Sequence, residues 1–279
     1  MMKVEFPGGF AVLMAVYRRD DAALFDRAIA SVFSNSLQPQ SVCLVADGPL
    51  TPELDAVAQK WSLQGGGRVH LFRLAHNQGL AHALNFGLQR IREPWVVRAD
   101  ADDINLPHRF ETLARLLQRQ PELELMSSAI LEVTPEGDPL AVRELPLGEA
   151  EIRQYAKTRN PFNHMAVAYR RASVLAVGSY PAVYLKEDYA LWCRMLAKGV
   201  RVANTADILV HATAGADMYR RRGGWKYARA EWEIQRLLVD CGLKPWWRAW
   251  LDGLMRAAVF LAPASVRGVV YARLLRTRP

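Results

Sequence analysis

Phe10 to Tyr17 reads Phe-Ala-Val-Leu-Met-Ala-Val-Tyr, with no charged side chain and no polar one before the closing tyrosine. A strand with one wet face alternates polar and apolar residues. A strand apolar on both faces must be covered on both, which calls for a sheet between two layers of helices. Ser41 to Ala46, Val69 to Leu74 and Trp95 to Ala99 are further short strand candidates. Helical patterns lie between them. Asp20 to Phe33 spaces Leu24, Ala28, Ile29 and Val32 at helical intervals, and Pro52 to Trp61 and Gly79 to Ile91 follow suit. This β-α-β-α order predicts an α/β fold whose central sheet is mainly parallel, with right-handed crossovers.

Three of the predicted strands end in polar residues: Tyr17, Asp47-Gly48, and Asp100-Ala101-Asp102-Asp103. Open α/β sheets bind ligands beyond the carboxyl ends of their strands. Residues i and i+2 of a strand point to one side, so Asp100 and Asp102 can converge on one cation. A few hard oxygen ligands suit Mg²⁺ or Mn²⁺ shared with phosphate oxygens. The alternative is an acidic turn before the helix that starts near Pro107, with Asp103 as its cap. Arg98 and Arg109 flank the cluster and can pair with a diphosphate or with the aspartates themselves. Farther on, Gly178-Ser179-Tyr180-Pro181 reads as a turn. Glu187-Asp188 then opens a helix with the apolar face Ala190, Leu191, Cys193, Met195 and Leu196. By spacing alone, that pair is a favourable charge at a helix amino terminus. Asn163-His164 precedes another apolar strand, where a histidine is either a satisfied structural residue or part of a site.

The chain is long enough, at 279 residues and 51% hydrophobic, for one large domain or two small ones. Its Cys43, Cys193 and Cys241 fit no zinc or redox spacing and read as buried thiols of a reducing compartment. No signal-like segment opens it, and no run reaches the roughly 18 apolar residues of a membrane span. These features predict a cytoplasmic protein. Charge is unevenly spread: residues 219–279 hold 13 Lys/Arg against 4 Asp/Glu, while residues 1–218 are close to neutral. Five of the eight tryptophans lie in that basic tail. The shift marks a boundary near residue 215, between a domain over 1–215 and a tail over 216–279. In the tail, Lys244 to Ala262 places Trp247, Leu251, Leu254, Met255, Ala258, Val259 and Leu261 on one helical face, with Lys244, Arg248 and Arg256 at its edge. Val266 to Leu275 continues the pattern. An apolar stripe with tryptophan and arginine suits a helix lying in the headgroup plane of anionic lipid. The alternative is packing on the core. Arg220-Arg221-Arg222 reads as a solvated basic turn or as a clamp on phosphates.

Ala15-Val16-Tyr17, Val45-Ala46-Asp47-Gly48, the stretch Asn77-Gln78-Gly79 through Asn85-Phe86-Gly87, Asp100-Ala101-Asp102-Asp103, Asn163-His164 and Glu187-Asp188-Tyr189-Ala190-Leu191-Trp192 occur in an order and spacing that resembles glycosyltransferase family 2. The resemblance spans about residues 10–212. The tail looks like that of amylovoran-biosynthesis-type members, which build bacterial surface polysaccharides. The resemblance implies the GT-A fold and an inverting sugar transfer from a nucleotide-sugar, a UDP-sugar by family frequency. The acceptor would be a glycan on a polyprenyl diphosphate at the inner face of the cytoplasmic membrane. By position, Ala15, Tyr17, Asp47, Asn77, Gly79, Asn85 and Asp100 would line the nucleotide-sugar, and Arg220 and Arg221 would reach its diphosphate. Asp102 would ligate Mn²⁺ or Mg²⁺. Asp188 would be the general base, with Glu187, His164 and Asn163 supporting it on the acceptor side. Ala46 stands where many members carry a second aspartate.

Two other readings are weighed. A sugar-nucleotide-forming nucleotidyltransferase uses a similar sheet and metal, but has a glycine-rich loop after its first strand. Here that loop is Tyr17-Arg18-Arg19-Asp20-Asp21-Ala22, without glycine. A basic nucleic-acid-binding protein accounts for the tail, but leaves the carboxylates without a task, so no nucleic-acid partner is expected.

Overall fold

The computed structural model describes residues 4–214 and 224–261. It opens with β1 (Phe10–Val16), α1 (Ala22–Phe33), β2 (Ser41–Ala46), α2 (Pro52–Gln64), β3 (Val69–Arg73), α3 (Leu80–Leu88) and β4 (Trp95–Arg98). The strands and helices fall where the hydrophobic pattern puts them, with ends set by caps. Asp21 starts α1 by accepting the Ala23 and Leu24 N–H groups, each at 2.9 Å. Thr51 accepts from Leu54 N–H ahead of α2, which carries Pro52 at its start.

β5 (Ile104–Asn105), α4 (Arg109–Arg119), β6 (Leu125–Val133), β7 (Pro139–Arg143) and α5 (Glu149–Tyr155) follow. A 3₁₀ turn at His164–Ala166 leads into β8 (Ala168–Arg170), α6 (Arg171–Ala176), α7 (Glu187–Ala197) and β9 (Val202–Thr213). One sheet runs β3-β2-β1-β4-β8-β6-β9-β5, with β7 added beside β6. The pairings β1·β2, β1·β4, β2·β3 and β6·β9 are parallel, while β8 lies antiparallel to both β4 and β6. β1 to β4, β6 and β9 therefore share one direction, as a mainly parallel sheet requires. The antiparallel β5, β7 and β8 come from stretches where the sequence pattern is weakest.

Alternate residues of β1 serve opposite sides of this sheet. Val12, Met14 and Val16 pack with Phe25 and Ile29 of α1 and Phe110 and Leu113 of α4. Ala11 and Leu13 face Leu84 and Leu88 of α3 and Leu191 and Trp192 of α7. Both faces are covered, and burying side chains this large contributes about 1.5–3 kcal/mol each.

After residues 215–223, α8 (Trp225–Asp240) and α9 (Trp246–Leu261) form a helical hairpin. It is joined to the α/β body, because Ile234 and Leu238 share a core with Tyr189, Ala190 and Cys193 of α7. Gly253 of α9 lies so close to α8 that a Cβ there would come within 2.8 Å of the Trp232 ring. The face of α9 turned away is apolar and wet: Trp246 is 72% exposed and Met255 61%, and Trp247, Trp250, Leu251 and Leu254 are also exposed. Two expected edge cations are corrected by their partners. Lys244 is buried, 2.7 Å from Asp252, and Arg256 turns inward to Glu231. Arg248 is exposed as expected, and the 266–275 continuation lies outside the described residues. Cys43 and Cys193 are buried thiols, and Cys241 is partly exposed.

Candidate active site

All six co-directional strands bring their carboxyl ends to one edge, and Tyr17, Asp47 and Asp100 to Asp103 follow β1, β2 and β4 there. Ala15 is the one half-buried residue of an otherwise buried β1, and Tyr17 just beyond is half-buried too. Asp20 fixes the Tyr17 backbone by accepting its N–H at 2.8 Å. Asp47, after β2, is 5% exposed. Its carboxylate accepts from Gln78 N–H at 2.7 Å, Gly79 N–H at 2.9 Å and the Asn77 side-chain amide at 2.8 Å. Asp47 thus binds the loop before α3 to the end of β2. Gly48 is required between them, since φ is +88° and a Cβ would lie 2.6 Å from Asn77 N.

At the start of α3, Gly79 has a positive φ of +90°, which demands glycine. Gly87 is closely packed, and a Cβ there would lie 2.5 Å from Leu13. Asn85 was expected beside the donor. Both ends of its amide are instead taken by Tyr180, donating to the Tyr180 carbonyl at 2.8 Å and accepting the Tyr180 N–H at 2.9 Å. Asn85 therefore ties α3 to the turn before α7.

Asp100, Asp102 and Asp103 follow β4, each offering a carboxylate oxygen within 4.8 Å of the others. Arg98, 1% exposed, lies beneath and pairs with Asp100. Arg109, 0% exposed, donates to the Arg98 carbonyl at 2.8 Å and to Asn105. Both arginines are structural supports. Burial draws the Arg109 guanidinium down to about 9, which leaves it charged at neutral pH. Asp103 does not cap a helix. Its carboxylate accepts the Thr213 N–H at 2.8 Å, and the Thr213 hydroxyl donates to the Asp102 carbonyl, so the end of β9 is bound to the cluster. Burial, then the charges of Asp102 and Asp100, push the Asp103 carboxyl well above the usual carboxylate range. Three hard oxygen donors whose like charge is this poorly relieved fit a divalent cation.

The second group centres on the start of α7. Asp188 accepts from the Asn160 side-chain amide at 2.6 Å and from Tyr189 N–H at 2.7 Å. Burial and then Asp188 push the Glu187 carboxyl up to about 7. His164 is half-buried, with Nε2 3.1 Å from the Tyr180 hydroxyl, and its ring packs beside Trp192. Burial first, and Arg98 second, lower its pKa, so it is neutral at pH 7. Asn163 is fully buried, donates to the Ser128 carbonyl at 2.8 Å and accepts from Arg143, which makes it a link between strands. Arg220 and Arg221 lie outside the described residues. Asp100 and Arg98 act electrostatically on Glu187 and on His164, so the two carboxylate groups lie near one another in the fold although they are more than 80 residues apart in sequence.

Asn160, Thr213 and Tyr180 were not foreseen as site-building residues. Asn160 lies 28 residues before the carboxylate it holds, and Thr213 lies 110 after Asp103. No spacing within one element could have signalled either.

Residues 11–177 match glycosyl transferase family 2. The chain belongs to glycosyltransferase family 2. It is 35% identical over 269 residues to an Escherichia coli UDP-Gal:alpha-D-GlcNAc-diphosphoundecaprenol beta-1,3-galactosyltransferase, covering 96% of each chain. It is also 35% identical to the amylovoran biosynthesis glycosyltransferase AmsE of Erwinia amylovora, covering 95% of this chain and 98% of that one. The fold is shared with S. aureus TarS 1-349 in complex with UDP-GlcNAc, at TM-score 0.68 and 14% identity over 96% of this chain and 76% of that one. It is shared as well with the mannosyltransferase PcManGT of Pyrobaculum calidifontis in complex with GDP-Man and Mn2+, at TM-score 0.66 and 15% identity over the same shares. The family 2 chain thus has the GT-A fold and is a glycosyltransferase, which sets aside the nucleotidyltransferase and nucleic-acid readings.

Proposed function

We propose that the enzyme moves a sugar, with inversion, from a UDP-sugar to a hydroxyl of a glycan carried on a polyprenyl diphosphate. The observation that carries this reading is the acidic cluster Asp100, Asp102 and Asp103 at the carboxyl end of β4, with a second carboxylate pair, Glu187 and Asp188, within electrostatic reach of it. One is built for a cation and a diphosphate, the other for a proton. The acceptor oxygen attacks the anomeric carbon from the side opposite the diphosphate. Asp188 takes the hydroxyl proton as the new C–O bond forms. The bond from the anomeric carbon to the diphosphate oxygen breaks, and the nucleoside diphosphate leaves with that electron pair. Asp102, with Asp100 and Asp103, would hold Mn²⁺ or Mg²⁺, which supplies positive charge for the leaving diphosphate. Tyr17 offers a flat aromatic face to the base, with Asp47 and Asn77 fixing the loop beside it. The diphosphoundecaprenol-linked acceptor of the E. coli relative supports a lipid-linked acceptor here.

The proposed workplace is the inner membrane surface. Among the described residues no helix is long and apolar enough to cross a bilayer. The exposed tryptophan, leucine and methionine face of α9 supports contact in the headgroup plane, and each basic residue near anionic lipid adds about 1 kcal/mol.

The deciding experiment offers the purified enzyme UDP-galactose and a GlcNAc-diphosphate-lipid, with and without excess chelator. Acceptor-dependent UDP release that chelator removes and Mn²⁺ or Mg²⁺ restores is the expected result. Full activity in chelator overturns the metal assignment, and release from other nucleotide-sugars alone corrects the donor. In flotation, the protein should bind anionic vesicles at low salt, and Trp247→Glu/Leu251→Glu should abolish the binding. If the wild type ignores such vesicles, the membrane reading is wrong.

A further inference from the structure

Glu231 of α8 is fully buried, at 0% exposure. One oxygen lies 2.8 Å from the Lys186 ammonium, and the other is 3.2 Å from Arg256 of α9 and accepts from Gln235 at 2.7 Å. Burial pushes its carboxyl up, but Lys186 and Arg256 more than offset this and the net shift is downward. Glu231 is therefore ionised, and two cations, Lys186 and Arg256, share it.

Both cations lead to Asp188. Lys186 is the residue at which α7 begins, two before Asp188. Its ammonium lies over the Tyr227 and Phe260 rings, 4.6 Å and 5.7 Å from their centroids. Leu185, just before it, sits at a positive φ of 53°, a backbone position that a leucine keeps only when its surroundings impose it. Arg256 also donates to the Thr158 carbonyl. Thr158 lies two residues before Asn160, whose amide donates to Asp188. On the same run, Tyr189 of α7 donates its hydroxyl to the Ala156 carbonyl at 2.6 Å. The backbone that starts the base's helix and the backbone that carries its hydrogen-bond donor thus meet at one buried carboxylate.

We infer that Glu231 is a positioning residue for the transfer, and that the α8–α9 hairpin braces Asp188 from behind through Lys186 on one flank and Arg256–Thr158–Asn160 on the other. The inference rests on Asp188 being the base. A buried ion pair broken on one side leaves its partners uncompensated. In Glu231→Gln, Lys186 and Arg256 lose their common anion and repel each other across the start of α7. A small displacement of a catalytic group is costly in rate: about 1 Å costs on the order of 10²-fold.

The test uses full-length enzyme in the UDP-galactose assay. Glu231→Gln should lower kcat about 10- to 100-fold, leave the UDP and Mn²⁺ affinity of the β1–β4 side unchanged, and be partly rescued by Glu231→Asp. In an Asp188→Asn background, Glu231→Gln should have no further effect on kcat, because the group it positions is gone. If the two losses multiply, or if Glu231→Gln turns over normally, the brace is refuted. If Asp188→Asn itself turns over normally, it is the base assignment that fails. Should Glu231→Gln not fold, Lys186→Met keeps an unbranched apolar side chain of similar length and leaves Glu231 paired with Arg256, and the same cycle is read with it.

Discussion

The two carboxylate groups of the site are held in opposite ways. Asp100, Asp102 and Asp103 stand over buried cations: Arg98 pairs with Asp100, and Arg109 supports Arg98 from below. Asp188 instead takes its hydrogen bonds from neutral donors, the Asn160 amide and the Tyr189 N–H. The cation that serves its surroundings, Lys186, is spent on Glu231. Buried Arg98 relieves only part of the repulsion among these carboxylates, which leaves the rest for a metal to relieve. Neutral donors fix the direction of a carboxylate without placing a cation beside it, which suits a group that must accept a proton.

The sharpest way to break this contrast is to neutralise one carboxylate on each side. Asp188→Asn should lower turnover about 10²–10⁴-fold while donor affinity stays normal, because the lost interaction exists only in the transition state. Asp102→Asn should weaken metal-dependent donor binding together with turnover, and wild-type enzyme in chelator should resemble it. Titration with UDP in the presence of Mn²⁺ separates the two. Normal turnover in Asp188→Asn would pass the role of base to Glu187 or His164.

Stability should divide the two groups as well. Arg98→Met removes the buried cation paired with Asp100, which costs about 3–5 kcal/mol. Asn160→Ala removes two hydrogen bonds, the one donated to Asp188 and the one accepted from Phe162 N–H, about 1.5–3 kcal/mol together. Urea unfolding of both variants measures the difference, and equal losses would erase the distinction between charged and neutral support.

Legibility followed the same division. The parallel strands and Asp100–Asp103 were readable because each is a local pattern: an apolar run, then carboxylates at strand spacing. Their supports Arg98 and Arg109 were visible beside them, and burial decided between the two roles open to them. The acceptor side is assembled from distant pieces. Asn160, Tyr180 and Glu231 reach α7 from separate segments, and the site residues Asn85 and Asn163 proved to be links in that assembly. The tail's apolar stripe was legible from its helical period. Lys244 and Arg256 looked like its edge because a helical wheel does not show which cations a neighbouring helix will claim.

The smallest expected effect tests the Glu187 side of the comparison through pH. Its carboxyl rises from the ordinary 4.5 to about 7 in the folded protein, through burial and then the neighbouring Asp188. Below about 4.5 both the folded and the unfolded chain hold this proton, and the group's contribution to stability is fully present. Between about 4.5 and 7 the unfolded chain releases the proton while the folded chain keeps it, so stability falls as pH rises, and the loss levels off above about 7. Glu187→Gln removes this titration and keeps the side chain's size. Relative to wild type, the variant should gain on the order of 1–3 kcal/mol on going from pH 4.5 to pH 8, read as a smaller fall in Tm over that range. Glu187 and Asp188 act on each other through their charges, so the difference between the two curves reads residue 187 together with that interaction. Parallel Tm curves would mean that burial and the neighbouring Asp188 do not hold the proton on Glu187, and that the start of α7 is open enough to solvent to let its first carboxyl ionise as an exposed one does.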